Sequence, residues 1–225
     1  MILPYYAGYS QVLISILLGD KLNSDKLEFG LEGGLNLSDI QGLDQASSAA
    51  RFNLGFYFDI TLKKPSLIFH TGVLVKSAMG AKRLPVYDIG DDDLDNAFEG
   101  GQVDRRLTYF NIPLLIKYKL KSNFYLEGGT MVGLRNKAED IFTKKVIDDD
   151  DLTYELNVKD HVRPFDAGLL VGLGYRLMRG NGMNLGVRYY VGLVDTVIDD
   201  NAPDQYNRSI YFSFGIPIGK GKPEK

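Results

Sequence analysis

Two acidic segments hold the carboxylates that could bind a cation. The first segment alternates Asp with other residues like the start of a calcium-binding loop, but Asn96 replaces the required Gly and Gln102 replaces the closing Glu. We therefore predict that it is not an EF-hand, and solvated surface charge is the simpler interpretation of both segments. The weak metal-site candidates are Asp91, Asp93, Asp95, Asp148, Asp149 and Asp150.

Acid–base chemistry would need a base beside a nucleophile or an activated water. Of the two histidines, His70 is predicted to lie on the charged face of a strand and His161 in a loop. No grouping of either histidine with a nucleophile is recognisable, so we predict no enzyme activity and no cofactor. The absence of cysteine excludes disulfides and thiolate metal sites.

Charged residues recur at alternate positions on one face of the predicted strands. After Arg51, for example, polar positions alternate with Phe52, Leu54 and Phe56. The face rich in Leu, Val, Ile and Phe is almost free of charge, whereas a soluble barrel would carry its charge outside. We therefore predict an apolar outer face in contact with lipid and an internal network of paired charges. The predicted lumen charge network comprises Glu28, Glu32, Arg51, Asp59, Lys76, Lys117, Glu127, Arg135, Asp166, Arg176 and Arg188.

The strands that must position these residues are long. Residues 106–134 predict a β-hairpin of two alternating runs of about 12 residues joined by a short turn. A tilted strand crosses a bilayer in roughly 9 to 11 residues. Eight such strands are predicted. The third is expected to end at about Ala78, before a long loop to about Val103, and the fifth before a long loop from about Lys137 to Arg163. The sequence therefore predicts an all-β fold, an eight-stranded antiparallel up-and-down transmembrane β-barrel.

The rest of the chain is predicted to form short extensions of this one domain. Residues 1–26 are expected to be an N-terminal periplasmic segment, helical or irregular, residues 27–218 the barrel, and residues 219–225 a basic periplasmic tail. No Lys or Arg precedes Lys21, so we expect that a secretory signal has been removed or that Met1 is not its start. The short turns are expected in the periplasm and the long loops outside the cell.

Two further expectations concern the barrel itself. An eight-stranded barrel is only wide enough for side chains to fill its interior, so we predict a closed lumen without an aqueous pore. Pro113 has no N–H for a strand ladder, and we expect a bulge at its position.

The charge balance limits the partners. A net charge of -3 lacks the basic surplus of a nucleic-acid-binding protein, so we predict no nucleic-acid partner. We expect outer-membrane lipid and lipopolysaccharide as partners, together with other outer-membrane or periplasmic proteins. Divalent cations that bridge the acidic loops to lipopolysaccharide phosphates are a weaker expectation.

Three segments resemble a known family: FGLEGGLNLSDI, YFNIPLLIKYKLKSNFYLEGGTMVGL and FDAGLLVGLGYRLMRGNGMNLGVRYYVGL. They are similar to the small outer-membrane β-barrel family abundant in Bacteroidota, which includes PorT-like proteins. The resemblance covers roughly Leu27 to Ile218 and implies an outer-membrane location and an eight-stranded barrel. Most members have no assigned activity, although PorT is linked to type IX secretion and some relatives are candidate subunits of larger outer-membrane machines.

The leading functional hypothesis is a non-enzymatic barrel that serves as a structural or accessory subunit of a secretion or assembly machine. A soluble lipocalin-like barrel that binds an apolar ligand is the first alternative. A lipid-modifying outer-membrane enzyme is the second, and His161 would be its best candidate residue.

Overall fold

The computed structural model describes residues 24–43, 45–147, 150–180, 182–199 and 201–218, and over these residues the fold is almost entirely β. The strands are β1 (Leu27–Gln41), β2 (Ser47–Thr61), β3 (Leu67–Leu84), β4 (Gln102–Lys119), β5 (Phe124–Ile147), β6 (Asp150–Asn157), β7 (Phe165–Arg176), β8 (Asn184–Gly192) and β9 (Tyr206–Pro217). Residues 1–23 of the predicted N-terminal segment and the basic tail lie outside the described residues.

Eight of these strands close into a ring. The order around it is β4-β3-β2-β1-β9-β8-β7-β5, and β5 pairs back onto β4. The first and last strands join in antiparallel register from Gly30 with Pro217 to Gln41 with Tyr206. Closure leaves no unpaired strand edge within the ring, because each ring strand has two ladder neighbours. The predicted eight-stranded antiparallel barrel is confirmed.

The hairpin of β4 and β5 forms as predicted, but Pro113 does not cause a bulge. Pro113 pairs with Met131 in an unbroken register, and the shift in this ladder falls between Thr108 and Tyr109. The ladder between β3 and β4 continues on both sides of Pro113 without a change of register. A missing N–H removes one ladder bond only, and the long hairpin keeps the strand regular around it.

Much of what the sequence predicts as long loop is strand. β3 continues to Leu84 and β5 continues to Ile147, well beyond the predicted ends. The distal half of β5 pairs with β4 on one side and with β6 on the other. The expected loop over residues 137–163 is therefore wrong for most of its length, because the ladder continues past the ring.

These extensions form a folded lobe at the end of the barrel opposite the short turns. The distal lobe consists of the end of β3, the start of β4, the distal half of β5, β6 and helix α1 (Asp92–Phe98). Phe98 is 1% exposed and anchors α1, with its ring 5.8 Å from that of Phe142 and 6.3 Å from that of Tyr154. Beneath the lobe, Ile40, Met79 and Leu107 belong to the same apolar cluster, which continues into the barrel.

Side chains on the ring strands alternate between two environments. Large apolar side chains such as Leu54, Leu126 and Leu173 point outward and are between 42% and 54% exposed. Glu32 and Arg188 point inward and are buried. No helix among the described residues is long and apolar enough to span a membrane.

Candidate functional site

The interior of the barrel is shaped by tyrosines that lie over glycines. A side chain at Gly30 would overlap the ring of Tyr57, and one at Gly174 would overlap the ring of Tyr125. Both tyrosines are almost fully buried. The glycines on the charged face thus make room for aromatic rings. The Lys117 ammonium lies 5.7 Å from the ring centroid of Tyr57 and 5.2 Å from that of Tyr125.

The turn-end cluster is the set of buried charges nearest the short turns. Arg176 Nη2 donates to Glu28 Oε2 at 2.5 Å, and the Tyr57 hydroxyl donates to the other carboxylate oxygen at 3.1 Å. Lys117 Nζ contacts both oxygens of Asp59, at 3.1 and 3.2 Å. Below this cluster, a cavity of about 240 Å³ at the turn end is lined partly by Lys117 and Arg176.

The central cluster joins Arg188 to two carboxylates. Its guanidinium bonds Glu32 and, through Nε at 2.6 Å, Glu127. Glu32 lies on β1 and Glu127 on β5, which are four places apart in the ring of eight and therefore face each other across the lumen. One side chain from β8 thus contacts carboxylates on both of these strands. His70 lies between the two charged clusters, with Nδ1 2.6 Å from Asp59 and Nε2 3.3 Å from Arg188 Nη2.

A belt of amide and hydroxyl groups follows, which the charge pattern alone does not reveal. Asn36 accepts from Asn53 at 3.0 Å and donates to Ser209 at 3.0 Å, while Ser77 donates to Asn53 at 2.8 Å and accepts from Asn111 at 2.9 Å. The belt runs over five consecutive ring strands. Its signal is present in the sequence, since these residues share the alternation of the charged face, but hydrogen-bond partners cannot be read from it.

A second crossing lies closer to the distal lobe. Asn207 Nδ2 donates to Asp166 at 2.9 Å and lies 3.3 Å from the Tyr109 hydroxyl. Asn207 belongs to β9 and Tyr109 to β4, which are also four places apart in the ring. Arg135 is half-buried near this crossing, and its Nε and Nη1 have no hydrogen-bond partner among the described residues.

Two residues of the predicted network lie elsewhere. Arg51 is buried, but it pairs with Asp104 of β4 rather than with the clusters above. The prediction for Lys76 is wrong: its side chain is exposed on the outer face, 5.8 Å from the ring centroid of Phe52. The reason is a register shift in β3 between Leu74 and Ser77, which turns Lys76 away from the lumen.

The distal lobe has its own buried ion pair. Arg105 makes two bonds to Asp140, at 2.9 and 2.6 Å, and the Tyr87 hydroxyl donates to the same carboxylate at 2.7 Å. Burial, reinforced by Asp140, raises the pKa of Tyr87 above its ordinary value, so the phenol keeps its proton and remains a donor. This cluster ties the β3–β4 connection to β5.

The first acidic segment has a structural role. Asp91 caps α1 by accepting from the backbone N–H groups of Asp93 and Leu94, and Asp95 accepts from the N–H of Ile89 at 2.8 Å. Asp148 and Asp149 lie outside the described residues, and Asp150 begins β6. The described part of the chain contains no group of three or more His, Cys, Asp or Glu side chains that could hold a metal ion.

His161 ends a 3-10 turn (Lys159–His161) after β6 and is exposed. It lines a cavity of about 680 Å³ in the distal lobe, together with Arg105, Val158 and Gln205. Its described hydrogen bonds are made by its backbone, which donates to Val158 and accepts from Ile198.

Comparison with known proteins agrees with this geometry. A family profile described as outer membrane protein beta-barrel domain matches residues 20–197. The chain belongs to this family. Membership in the outer membrane protein beta-barrel domain family makes it an outer-membrane β-barrel protein of bacteria and accounts for the apolar outer surface. β9 lies beyond the matched residues, yet it closes the ring by pairing with β1 and β8.

Similar solved structures include three outer-membrane proteins. Ail, the attachment invasion locus protein of Yersinia pestis, is 9% identical with a TM-score of 0.46, covering 87% of this chain and 100% of that one. Neisserial surface protein A is 9% identical (TM-score 0.43; 84% and 96% covered), and OprG of Pseudomonas aeruginosa is 13% identical (TM-score 0.34; 85% and 93% covered). These TM-scores are below 0.5, so no function follows from them. No curated protein matches the chain.

The soluble lipocalin-like alternative requires the opposite arrangement of side chains. Such a barrel would hold its apolar residues inside to receive a ligand. Here Leu126 and Leu173 lie outside, and Glu127 and Arg188 fill the interior. Together with family membership, this sidedness excludes the soluble alternative.

Proposed function

We propose that this protein is a non-enzymatic outer-membrane barrel whose lumen is closed, and that it acts through its distal lobe as a structural or accessory subunit of an outer-membrane assembly. The observation that carries the proposal is the contact of Arg188 with Glu32 and Glu127, because these carboxylates lie on opposite walls. A barrel blocked at its centre has no path for solutes, so we expect it to act through contacts made by its outer surface and its distal lobe.

Three structural layers support a closed lumen. The central cluster spans the diameter once, and the contacts of Asn207 with Asp166 and Tyr109 span it again. Above both, the apolar cluster under the distal lobe includes Met79 and Leu107, which are fully buried. Opening such a barrel would require breaking buried ion pairs and exposing apolar surface together, which is costly.

We orient the barrel with its short turns in the periplasm and the distal lobe outside the cell. Support comes from the asymmetry of the two ends, since outer-membrane barrels have short periplasmic turns and longer extracellular connections. The hairpin turn after β4 spans only residues 120–123, whereas the β3–β4 connection contains a helix and the β5–β7 connection contains a strand.

The accessory role rests on the resemblance to PorT-like barrels of Bacteroidota and on the ordered lobe. A folded lobe presents a fixed surface, which suits docking of a protein partner better than a mobile loop does. Secretion or protein-assembly machinery is the class of partner that the resemblance suggests.

Catalysis is disfavoured by what surrounds His70. Its contacts among the described residues are Asp59, Glu32, Arg188 and the ring of Tyr57. No hydroxyl nucleophile lies against it there, and it is buried between charged groups that a substrate would have to displace.

The closed lumen is tested by conductance. The purified protein is inserted into a planar lipid bilayer, and single-channel current is recorded beside an open porin as the positive control. We expect no stable conductance. A Glu32→Ala, Glu127→Ala, Arg188→Ala triple variant, which removes the central cluster, should stay closed as well, because the second crossing and the apolar cluster remain. Reproducible open steps from the wild-type barrel would overturn the proposal.

A further inference from the structure

The turn-end cavity, with a volume of about 240 Å³, has the features of a small binding site. It lies at the mouth of the barrel, between the β4–β5 turn and the β7–β8 turn, and its lining includes the cations Lys117, Lys119, Arg176 and Arg179. Asp59 is the only acidic residue among the described residues that line it. Lys117 and Arg176 are almost fully buried, whereas the other two cations are exposed at the rim. Positive charge thus surrounds a concave space.

One buried donor points to a ligand in this cavity. Arg176 donates to Glu28 through Nη2 at 2.5 Å, but its buried Nε has no hydrogen-bond partner among the described residues. A buried N–H group without an acceptor is costly, so such groups are normally satisfied. Because Arg176 lines the cavity, a ligand oxygen bound there would supply the missing acceptor.

The balance of charge favours a monoanion over a phosphate dianion. The two buried cations are already matched by the carboxylates of Glu28 and Asp59. The rim cations Lys119 and Arg179 are exposed, so water and salt screen their field. The cavity therefore combines one unsatisfied buried donor with a modest surplus of positive charge, which suits a single carboxylate group.

Apolar groups form another part of the cavity wall. Ile68, Leu120 and Tyr125 line it, and the first and last of these are almost fully buried. A bare inorganic anion would leave this apolar surface in contact with water. The volume exceeds that of a carboxylate group alone, yet it lies below the roughly 300 to 1,000 Å³ of sites for drug-sized ligands. A carboxylate beside a short apolar group would match both parts of the wall.

We propose that the turn-end cavity binds a small carboxylate that carries a short aliphatic group, either as a free acid or as the C-terminal residue of a peptide. Arg176 Nε and the Arg179 guanidinium bond the carboxylate, and Ile68 and Leu120 contact the aliphatic group. This site goes beyond the proposed docking role, because it lies at the end of the barrel opposite the distal lobe. In the orientation proposed above, the ligand enters from the periplasm.

Isothermal titration calorimetry on the full chain in a non-ionic detergent tests the site. The probes are 3-methylbutanoate as the free acid, N-acetylleucine as the peptide end, the neutral amide of N-acetylleucine, and inorganic phosphate. Arg179→Gln removes a rim cation, and Arg176→Lys keeps a positive charge beside Glu28 but removes Nε. Lys64→Gln is the matched control, since Lys64 is an exposed cation of the β2–β3 turn outside the cavity lining. Heat-dependent gel mobility verifies that each variant is folded.

We expect the wild type and Lys64→Gln to bind the carboxylate probes with equal affinity. Arg176→Lys should weaken this binding about tenfold or more, because a charge-assisted hydrogen bond is lost. Arg179→Gln should weaken it about two- to fivefold, since an exposed charge contributes less. The neutral amide should not bind. The tighter of the two carboxylates identifies the free acid or the peptide end as the source of the ligand.

Three results would overturn the inference: no binding of either carboxylate at millimolar concentration, unchanged binding by folded Arg176→Lys, or phosphate that binds more tightly than both carboxylates. If Arg176→Lys does not fold, the amide decides, because an amide that binds as tightly as N-acetylleucine shows that the carboxylate is not recognised. Bilayer conductance does not depend on this cavity, so failure here leaves the closed lumen standing.

Discussion

At the scale of single residues, the interior is organised by Arg188. Its planar guanidinium can bond two carboxylates at once, which a lysine ammonium does less well. Glu32, Glu127 and Arg188 are all buried, so none of these charges is hydrated by bulk water. A buried charge that loses its partner is strongly destabilising, even where the intact pair adds little net stability.

Replacing Arg188 by Leu should therefore destabilise the barrel by about 3 to 5 kcal/mol, because Glu32 and Glu127 lose their shared cation. Urea-induced unfolding in lipid vesicles, followed by the difference in gel mobility between folded and unfolded barrel, measures this change. Lys137→Ala, which removes an exposed ion pair with Glu139, is the control and should cost about 0 to 1 kcal/mol.

A Glu32→Gln, Glu127→Gln, Arg188→Leu variant separates charge from packing. Neutral amides need no cation, so this variant should be more stable than Arg188→Leu alone. If Arg188→Leu unfolds at the same urea concentration as the wild type, the central cluster does not hold the barrel together.

Most of the lumen residues could be predicted from the sequence because strand alternation has a period of two. Glu28, Glu32 and Asp59 occupy the same alternate positions of their strands as the neighbouring glycines and tyrosines, and their side chains lie inside the barrel. The alternation argument fails at Lys76, because β3 contains one extra residue between Leu74 and Ser77. After that residue, the side chains point to the opposite face from the one predicted. Nothing in the local sequence marks that shift, since it depends on the pairing with β2 and β4.

At the scale of elements, the distal lobe is the part that departs most from a plain barrel. Strand pairing beyond the ring is maintained because β4, β5 and β6 form a three-stranded sheet, and α1 covers one face of it through Phe98. The sequence favours a loop there because the polar run around Asp148 interrupts the alternation. The apolar positions Phe142 and Tyr154 are the residues that could have indicated a folded hairpin.

Phe98→Ala should release α1 from the lobe without opening the barrel. Removing a buried phenylalanine ring from an apolar cluster costs about 3 to 5 kcal/mol. Here the loss falls on a short helix whose remaining apolar contacts with the cluster come from the partly buried Leu94 and Ala97. Limited proteolysis of the folded protein should then cut residues 85–101 at least about tenfold faster, while heat-dependent gel mobility stays unchanged.

Glu99→Ala is the control for this experiment, since Glu99 is exposed directly after α1. Its cleavage rate should equal that of the wild type. Equal cleavage of all three proteins would mean that Phe98 does not anchor α1.

At the scale of the whole molecule, the fold separates three surfaces. The outer wall is apolar, the interior holds buried charges and amides next to an apolar cluster, and the distal lobe carries α1 with its acidic first turn. The number of ring strands and the two faces of each strand followed from alternation and strand length. The closure of β1 onto β9 and the ion pairs across the ring did not, because they join residues up to 187 positions apart that no local pattern relates.

The sidedness of the wall is the central claim, and photolabelling tests it without altering the chain. The barrel is reconstituted with a phospholipid that carries a diazirine in its acyl chain, irradiated, and mapped by mass spectrometry. We predict labels on alternate residues, at Leu169, Val171 and Leu173 of β7 and at Phe212 and Phe214 of β9. Labels on Leu170, Arg188 and Tyr211, with the first set unlabelled, would contradict the account.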